Sequence, residues 1–302
     1  MQDAFPDGLV HVDLRGSGPM RADPAEVLNA ILASFGVDVG GLPPGLGLAE
    51  RERLYRTHLS RRRILVFLDD ASHEAQVRPL LCGAPGCAVL VTSRHLLPAL
   101  ESVKTIHLGP LTTAESTDLL ANISGTQRIE AEMGACATIA RVTGNLPLAI
   151  RIAGASLAAH PHWPVRELAA RLSDDNRRLG ELAIGDLSVE AAFRSSYLAL
   201  DTLGRRAFRL LGALRKGECS AQVAGPWLAV DATVAEDVLD GVVQANLAEV
   251  ARYDQRGRSW YRLPALLRDF ARTALLDETP ISGWVGVSAG RGLSRARRGA
   301  GG

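Results

Sequence analysis

The stretch RRRILVFLDDASHEAQVRPLL, Arg61 to Leu81, decides how this chain reads. Three arginines lead into an unbroken apolar run, Ile64 to Leu68, which stops at two aspartates, Asp69 and Asp70. A continuous apolar run of that length predicts a strand buried on both faces, as in a parallel sheet. Open parallel sheets place ligands beyond the carboxyl ends of their strands. Carboxylates at that edge suit a hard cation such as magnesium, which takes oxygen ligands. A magnesium nucleotide normally also needs a loop G-x-x-x-x-G-K-[ST], whose backbone N–H groups and lysine hold the phosphates.

That loop is absent from the 302 residues. The chain has two lysines, Lys104 and Lys216, preceded by Val103 and Arg215 rather than glycine. Gly16-Ser17-Gly18 and Gly40-Gly41 lack both the lysine and the spacing.

Around the decisive stretch the pattern alternates. Leu9 to Leu14 (LVHVDL) has the period of a strand. Asp23, Pro24 and Glu26 start a helix with a capping side chain, a first-turn proline and an acid three residues after the cap. Leu28, Ile31, Leu32 and Phe35 line one face of it, and Gly36 closes it. A Gly- and Pro-rich loop (37–47) and a polar helix (48–60) lead into the apolar strand. A short helix (74–81), a second apolar strand (88–91) and a weaker strand (105–108) follow. Strands alternating with helices predict a parallel sheet covered on both faces, with Asp69, Asp70 and Arg94 at its carboxyl edge.

From Pro110 the period becomes helical, with helices predicted at 113–120, 129–142, 146–158 and 165–172. A third block carries helices at 188–199, 203–214, 221–229 and 232–244. Strands at 247–253 and 259–263 flank the turn DQRGR, and a last helix spans 264–276. Three helices followed by a two-stranded wing suggest a winged helix. The Gly- and Arg-rich end has little to bury and is expected to be disordered. The chain thus divides into an α/β part (1–109), a small helical domain (110–185), a winged-helix domain (186–278) and a tail (279–302).

Composition excludes several classes. With 47% hydrophobic and 22% charged residues the chain has the make-up of a globular protein with real cores. A formal net charge of +1 predicts no global attraction to nucleic acid or anionic membrane. No apolar run approaches a membrane span, and MQDAFPDG has no signal-peptide pattern, which points to the cytoplasm. Cys82, Cys87, Cys136 and Cys219 show no C-x-x-C spacing, so reduced thiols are expected rather than a metal site or disulfide framework. His73, His107, His160 and His162 have no partner at metal spacing.

The ordered set FPDG-LVHVDLRG, RRRILVFLDD, EAQVRPLL, GCAVLVTSR, LTTAES, GNLPLAIRIAG, SYLALD and FRLLGAL resembles the NB-ARC module of the signal-transduction ATPases with numerous domains. It is most similar to the version in actinobacterial antibiotic-pathway regulators, over roughly residues 5–275. The resemblance implies α/β followed by all-α: a partial parallel sheet of the P-loop NTPase type, a helical domain and a winged helix. It implies an ADP/ATP-gated switch in a transcriptional regulator, acting with other domains or as a homo-oligomer. Asp69 would hold Mg2+ through water and Asp70 would position a hydrolytic water. Arg94 would sense the terminal phosphate. Pro147, with Gly144 and Leu148 in Gly144-Asn-Leu-Pro-Leu-Ala149, would pack on adenine and ribose. Read without the resemblance, Asp69 and Asp70 equally serve as a strand end and helix start, Arg94 as a surface arginine, and Pro147 as a helix N-terminal proline.

Two departures qualify that picture. The family's first strand and phosphate loop would precede FPDG, so the chain is expected to be N-terminally truncated, with unpaired edges and an apolar groove in its sheet. Either a gene remnant or a late start at Met1 would account for this. The family's His-Asp pair in the last helix is replaced by Pro264 and Ala265, neither of which can donate to a phosphate. Each lost charge-assisted bond is worth about 1.5–3 kcal/mol, so weak or no nucleotide binding and no hydrolysis are expected. DNA binding is the rival class. The expected recognition helix carries Asp231, Glu236, Asp237 and Asp240 and no Arg or Lys, a poor reader of phosphates.

Overall fold

The computed structural model describes residues 3–18, 20–43, 45–214 and 217–277, except the side chains of 276 and 277. The expected tail (279–302) and Lys216 lie outside these. The fold is mixed α/β: a parallel three-stranded sheet followed by a mainly helical region.

Strands β1 (Leu9–Asp13), β2 (Leu65–Ala71) and β3 (Ala88–Ser93) lie in the order β1-β2-β3. Leu9 pairs with Leu65 and Leu65 with Ala88, and both ladders are parallel. The two apolar strands, β2 and β3, hydrogen-bond directly to each other. Helices α1 (Pro24–Ser34), α2 (Leu48–Leu59) and α3 (Glu74–Val77) cover one face. Asp23 caps α1 as expected, accepting from the N–H groups of Ala25 and Glu26. Val27, Leu28, Ile31, Leu32, Tyr55 and Leu59 meet Val66, Leu68 and the half-buried valines of β1 and β3 in one core.

The expectation of a sheet covered on both faces is corrected. Period-2 alternation turns Leu9, Phe67 and Leu90 to the opposite face. None of them joins the core, and Leu9 and Leu90 are 58% and 50% exposed. A second correction concerns 105–108. The segment is irregular, with Ile106 69% and Leu108 93% exposed. Among the described residues its short apolar alternation finds no ladder partner.

The helical region starts with α4 (Thr113–Ser124), whose Thr112 and Glu115 form a reciprocal capping box. The helix expected over 129–142 is interrupted, giving α5 (Thr126–Glu130) and α6 (Met133–Val142). The break falls at Ala131 and Glu132, and Glu132 spends its carboxylate on the N-terminus of a later helix. Next come α7 (Pro147–Ala159), α8 (Val165–Ser173) and α9 (Arg178–Glu181). A two-residue turn joins β4 (Ala183–Ile184) to β5 (Leu187–Ser188).

Then follow α10 (Val189–Ala199), α11 (Thr202–Ala213), β6 (Glu218–Ser220), α12 (Ala221–Leu228), α13 (Ala232–Gln244), β7 (Glu249–Tyr253), β8 (Ser259–Arg262) and α14 (Ala265–Asp277). Strands β6, β8 and β7 form an antiparallel sheet in that order. The buried apolar residues of this whole region, from Leu120 to Ala274, form one cluster, separate from the core under the parallel sheet.

Candidate functional site

The carboxyl edge of the parallel sheet gathers Asp69, Asp70, Thr92 and Arg94. The β2–β3 ladder slips between Leu68 and Ala71, and within that irregularity Asp70 adopts φ 54°. A non-glycine residue there carries local strain, of about 1 kcal/mol or more for most side chains. What holds it is a set of hydrogen bonds. The Thr92 hydroxyl oxygen accepts from the Asp70 N–H at 2.9 Å and donates to Asp69 Oδ1. Ser17 donates its backbone N–H (2.8 Å) and its hydroxyl (2.6 Å) to Asp70 Oδ2. Gly16 brings the loop this close, since a Cβ on it would lie 2.3 Å from the Asp70 carbonyl oxygen.

Behind the loop, buried Gln76 donates to the carbonyls of Leu14 (2.8 Å) and Ala22 (3.0 Å). Its Oε1 accepts from the Ser72 N–H and hydroxyl. Ser17, Thr92 and Gln76 were not legible as site residues. The one signal was the glycine pair around Ser17.

Arg94 stands between the two parts of the molecule. Its Nε lies 4.0 Å from Asp70 Oδ1. Its terminal nitrogen donates to the Ala192 carbonyl and the Ser196 hydroxyl of α10, each at 3.4 Å. The Asn246 side-chain amide, between α13 and β7, donates to the Arg94 carbonyl. Among the described residues, these bonds tie the sheet edge to the helical region.

Gly144, Pro147 and Leu148 lie elsewhere in the bonding pattern. Gly144 and Asn145 both have positive φ and lead into α7, where Pro147 occupies the first turn. Asn145 accepts from the Leu111 N–H through its carbonyl and from the Ser116 hydroxyl through its side chain. Among the described residues, no hydrogen bond or ion pair links these three to Asp69, Asp70 or Arg94.

The edge fits part of a magnesium nucleotide. Among the described residues Asp69 Oδ2 carries no hydrogen bond, with His11 Nε2 3.9 Å away and the side chain 45% exposed, which leaves room for a metal-bound water. Arg94 is partly exposed and suits a phosphate oxygen. Asp70 fits less well, because Ser17 already occupies one of its oxygens twice. Among the described residues, no group of three or more His, Cys, Asp or Glu is gathered to hold a metal ion. No loop of the phosphate-cradling pattern is present in the sequence.

No family model matches the chain. It is 43% identical over 277 residues to Regulatory protein AfsR of Streptomyces griseus, covering 91% of this chain and 28% of the relative. It is 41% identical over 292 residues to the protein of the same name from Streptomyces coelicolor, covering 97% and 29%. The chain thus spans less than a third of the length of these curated relatives. Among solved structures it overlaps "Structure of Drosophila ORC bound to DNA", with TM-score 0.37, 12% identity, and 88% and 82% of the two chains covered. That overlap carries no argument. Among the described residues, no helix is long and apolar enough to cross a membrane.

Proposed function

We propose that this chain is an ADP/ATP-responsive switch module of the NB-ARC type within a transcriptional regulatory protein, weakened in nucleotide binding as an isolated polypeptide. The observation that carries the reading is the position of Arg94, which faces Asp70 on one side and α10 on the other. Support for the regulatory setting comes from the similarity to the two AfsR proteins. The β6-β8-β7 sheet beside α11, α12 and α13 supports a winged-helix reading of the C-terminal part.

In this reading Arg94 would hold the terminal phosphate, Asp69 the water shell of magnesium, and Pro147 with Gly144 and Leu148 the base. The bound nucleotide supplies negative charge at the sheet edge. Arg94 would be the residue that responds to it. A guanidinium turned toward a phosphate would give up its bonds to Ala192 and Ser196 and so loosen α10 from the sheet edge. Asp70, clamped by Ser17, orients Arg94 and keeps the edge in shape.

Titration calorimetry of the 302-residue chain with ADP and magnesium tests the weakness. Faint or absent heats are expected, and micromolar binding overturns it. Arg94→Ala tests the coupling: hydrogen exchange in α10 (Val189–Ala199) is expected to speed up, and unchanged exchange removes Arg94 from this role.

A nucleotide-independent scaffold is the second reading, favoured by the double occupation of Asp70 Oδ2 by Ser17. Sequence-specific DNA binding is disfavoured by the acidic α13, where Asp240 also accepts from the Tyr261 hydroxyl at 2.7 Å. A gel shift at physiological salt distinguishes it, and tight retention would reverse this ranking.

A further inference from the structure

The loop entering β3 carries two of the four cysteines, and neither belongs to the site above. Cys82 and Cys87 are both half-buried and free. Between them Gly83-Ala84-Pro85-Gly86 folds back, with the Cys87 N–H donating to the Ala84 carbonyl at 3.0 Å. Cys82 Sγ accepts from the Ala84 N–H at 3.3 Å, which turns it into the same bend. Cys87 Sγ donates to the Arg62 carbonyl at 3.2 Å. Gly86 presses on that carbonyl too, since a Cβ there would lie 2.7 Å from it. The two cysteines thus close on the same Ala84 peptide, Cys82 through its sulfur and Cys87 through its backbone N–H. Cys136 and Cys219 are fully buried in the other core.

We propose that Cys82 and Cys87 form a dithiol modification site that a hydroperoxide closes into an intraloop disulfide. One thiolate attacks the peroxide O–O bond and becomes a sulfenic acid, releasing water or an alcohol. The second thiol attacks that sulfur, forms the S–S bond and expels water. The cysteine pair loses two electrons and the hydroperoxide gains them. A tight bend that holds both cysteines against one peptide supplies the short reach that a disulfide requires. Closure removes the thiol hydrogen that Cys87 gives to Arg62, so it loosens the loop from the entrance of β2 while cross-linking it to itself.

Burial raises the Cys82 thiol above its ordinary range, and Cys87 adds to this, while the Ala84 N–H and Arg56 oppose it. Tyr55 is the other titratable group facing the pair. Closure therefore speeds up as pH rises, because the thiolate is the attacking form.

The test is to treat the folded 302-residue chain with hydrogen peroxide, alkylate remaining thiols in denaturant and map the products by mass. The expected result is loss of the Cys82 and Cys87 thiols together, with a mass lower by two hydrogens in the peptide containing both. Cys82→Ser and Cys87→Ser should each abolish that product, and circular dichroism checks that they fold. Independent oxygen adducts on the two cysteines of the unmodified sequence would overturn the proposal. So would full alkylation of both after treatment, or a bridge to Cys136 or Cys219.

Discussion

Ser17 grips one carboxylate oxygen of Asp70 twice, through its backbone N–H at 2.8 Å and its hydroxyl at 2.6 Å, although 53 residues separate them. The grip fixes an aspartate with left-handed backbone at the edge of the sheet. Ser17→Ala keeps the N–H and loses the hydroxyl bond. With Asp70 partly exposed, the expected loss is about 1 kcal/mol. Gly16→Ala is expected to cost more than Ser17→Ala, because backbone atoms of Asp70, Ala71 and Ser72 occupy the added methyl's space. Urea unfolding of both variants checks the order, and equal or negligible losses would remove the clamp from the account.

A buried ion pair joins α9 to α14. Arg178 donates to Asp269 Oδ2 at 2.7 Å, to the Leu172 carbonyl at 2.7 Å and to Asp175. Burial raises the Asp269 carboxyl above its ordinary range, while Arg178 pulls it down. Among the described residues its other oxygen has no hydrogen-bond partner, and Arg272 lies 3.8 Å from it. Arg178→Met removes the short partner of the buried acid and leaves it only the longer contact to Arg272 (3.8 Å), so it should destabilise by about 3 kcal/mol. The double variant Arg178→Met/Asp269→Leu should recover a large part of that loss. Additive losses in the double-mutant cycle would contradict it.

Glu132 caps α8 from outside. Its carboxylate accepts from the N–H groups of Val165 (2.9 Å) and Arg166 (3.1 Å), where Pro164 supplies no side-chain cap. Burial alone would raise its acid group, but these donors and the Arg166 guanidinium hold it below the ordinary range. A depressed folded value means its stabilisation is present above the unfolded value of about 4.3 and is lost as pH falls through the folded one. Glu132→Ala should therefore cost about 1 kcal/mol at neutral pH. The difference from the parent should shrink in strong acid, and a pH-independent difference in thermal midpoint would refute the assignment.

The uncovered sheet face invites a surface test. Leu90 is half-exposed and outside both cores. Leu90→Glu is expected to leave stability within about 0.5 kcal/mol while lowering binding of an apolar dye and reducing self-association. A loss of several kcal/mol would mean that this face is packed.

Much of this was legible where local signals agree. Ile64 to Leu68 reads as a buried strand because no polar residue interrupts it, and Asp23-Pro24 marks a helix start by its own capping chemistry. Elements made by distant partners were not legible. Gln76 lies in an ordinary helical stretch, and only the folded chain brings it to the Leu14 and Ala22 carbonyls. The β4–β5 hairpin carries the turn signal Gly185-Asp186, but strands of two residues give no periodicity. Segment 105–108 shows the converse: alternation without a neighbouring strand does not make a ladder. Strand ends alone place Asp69, Asp70 and Arg94 at the sheet edge, while the roles proposed for them come from the resemblance. The residues that hold them, Ser17 and Thr92, carry no comparable mark.

The separation of the two cores bears on how the molecule comes apart. Each part buries its own side chains, and the sheet part is the smaller, where surface outweighs interior. Heating should therefore melt it as a unit of its own, ahead of the helices, and calorimetry should record a shouldered rather than a single endotherm. Arg94, bonded across the seam, would lose its grip on α10 at the first of these steps.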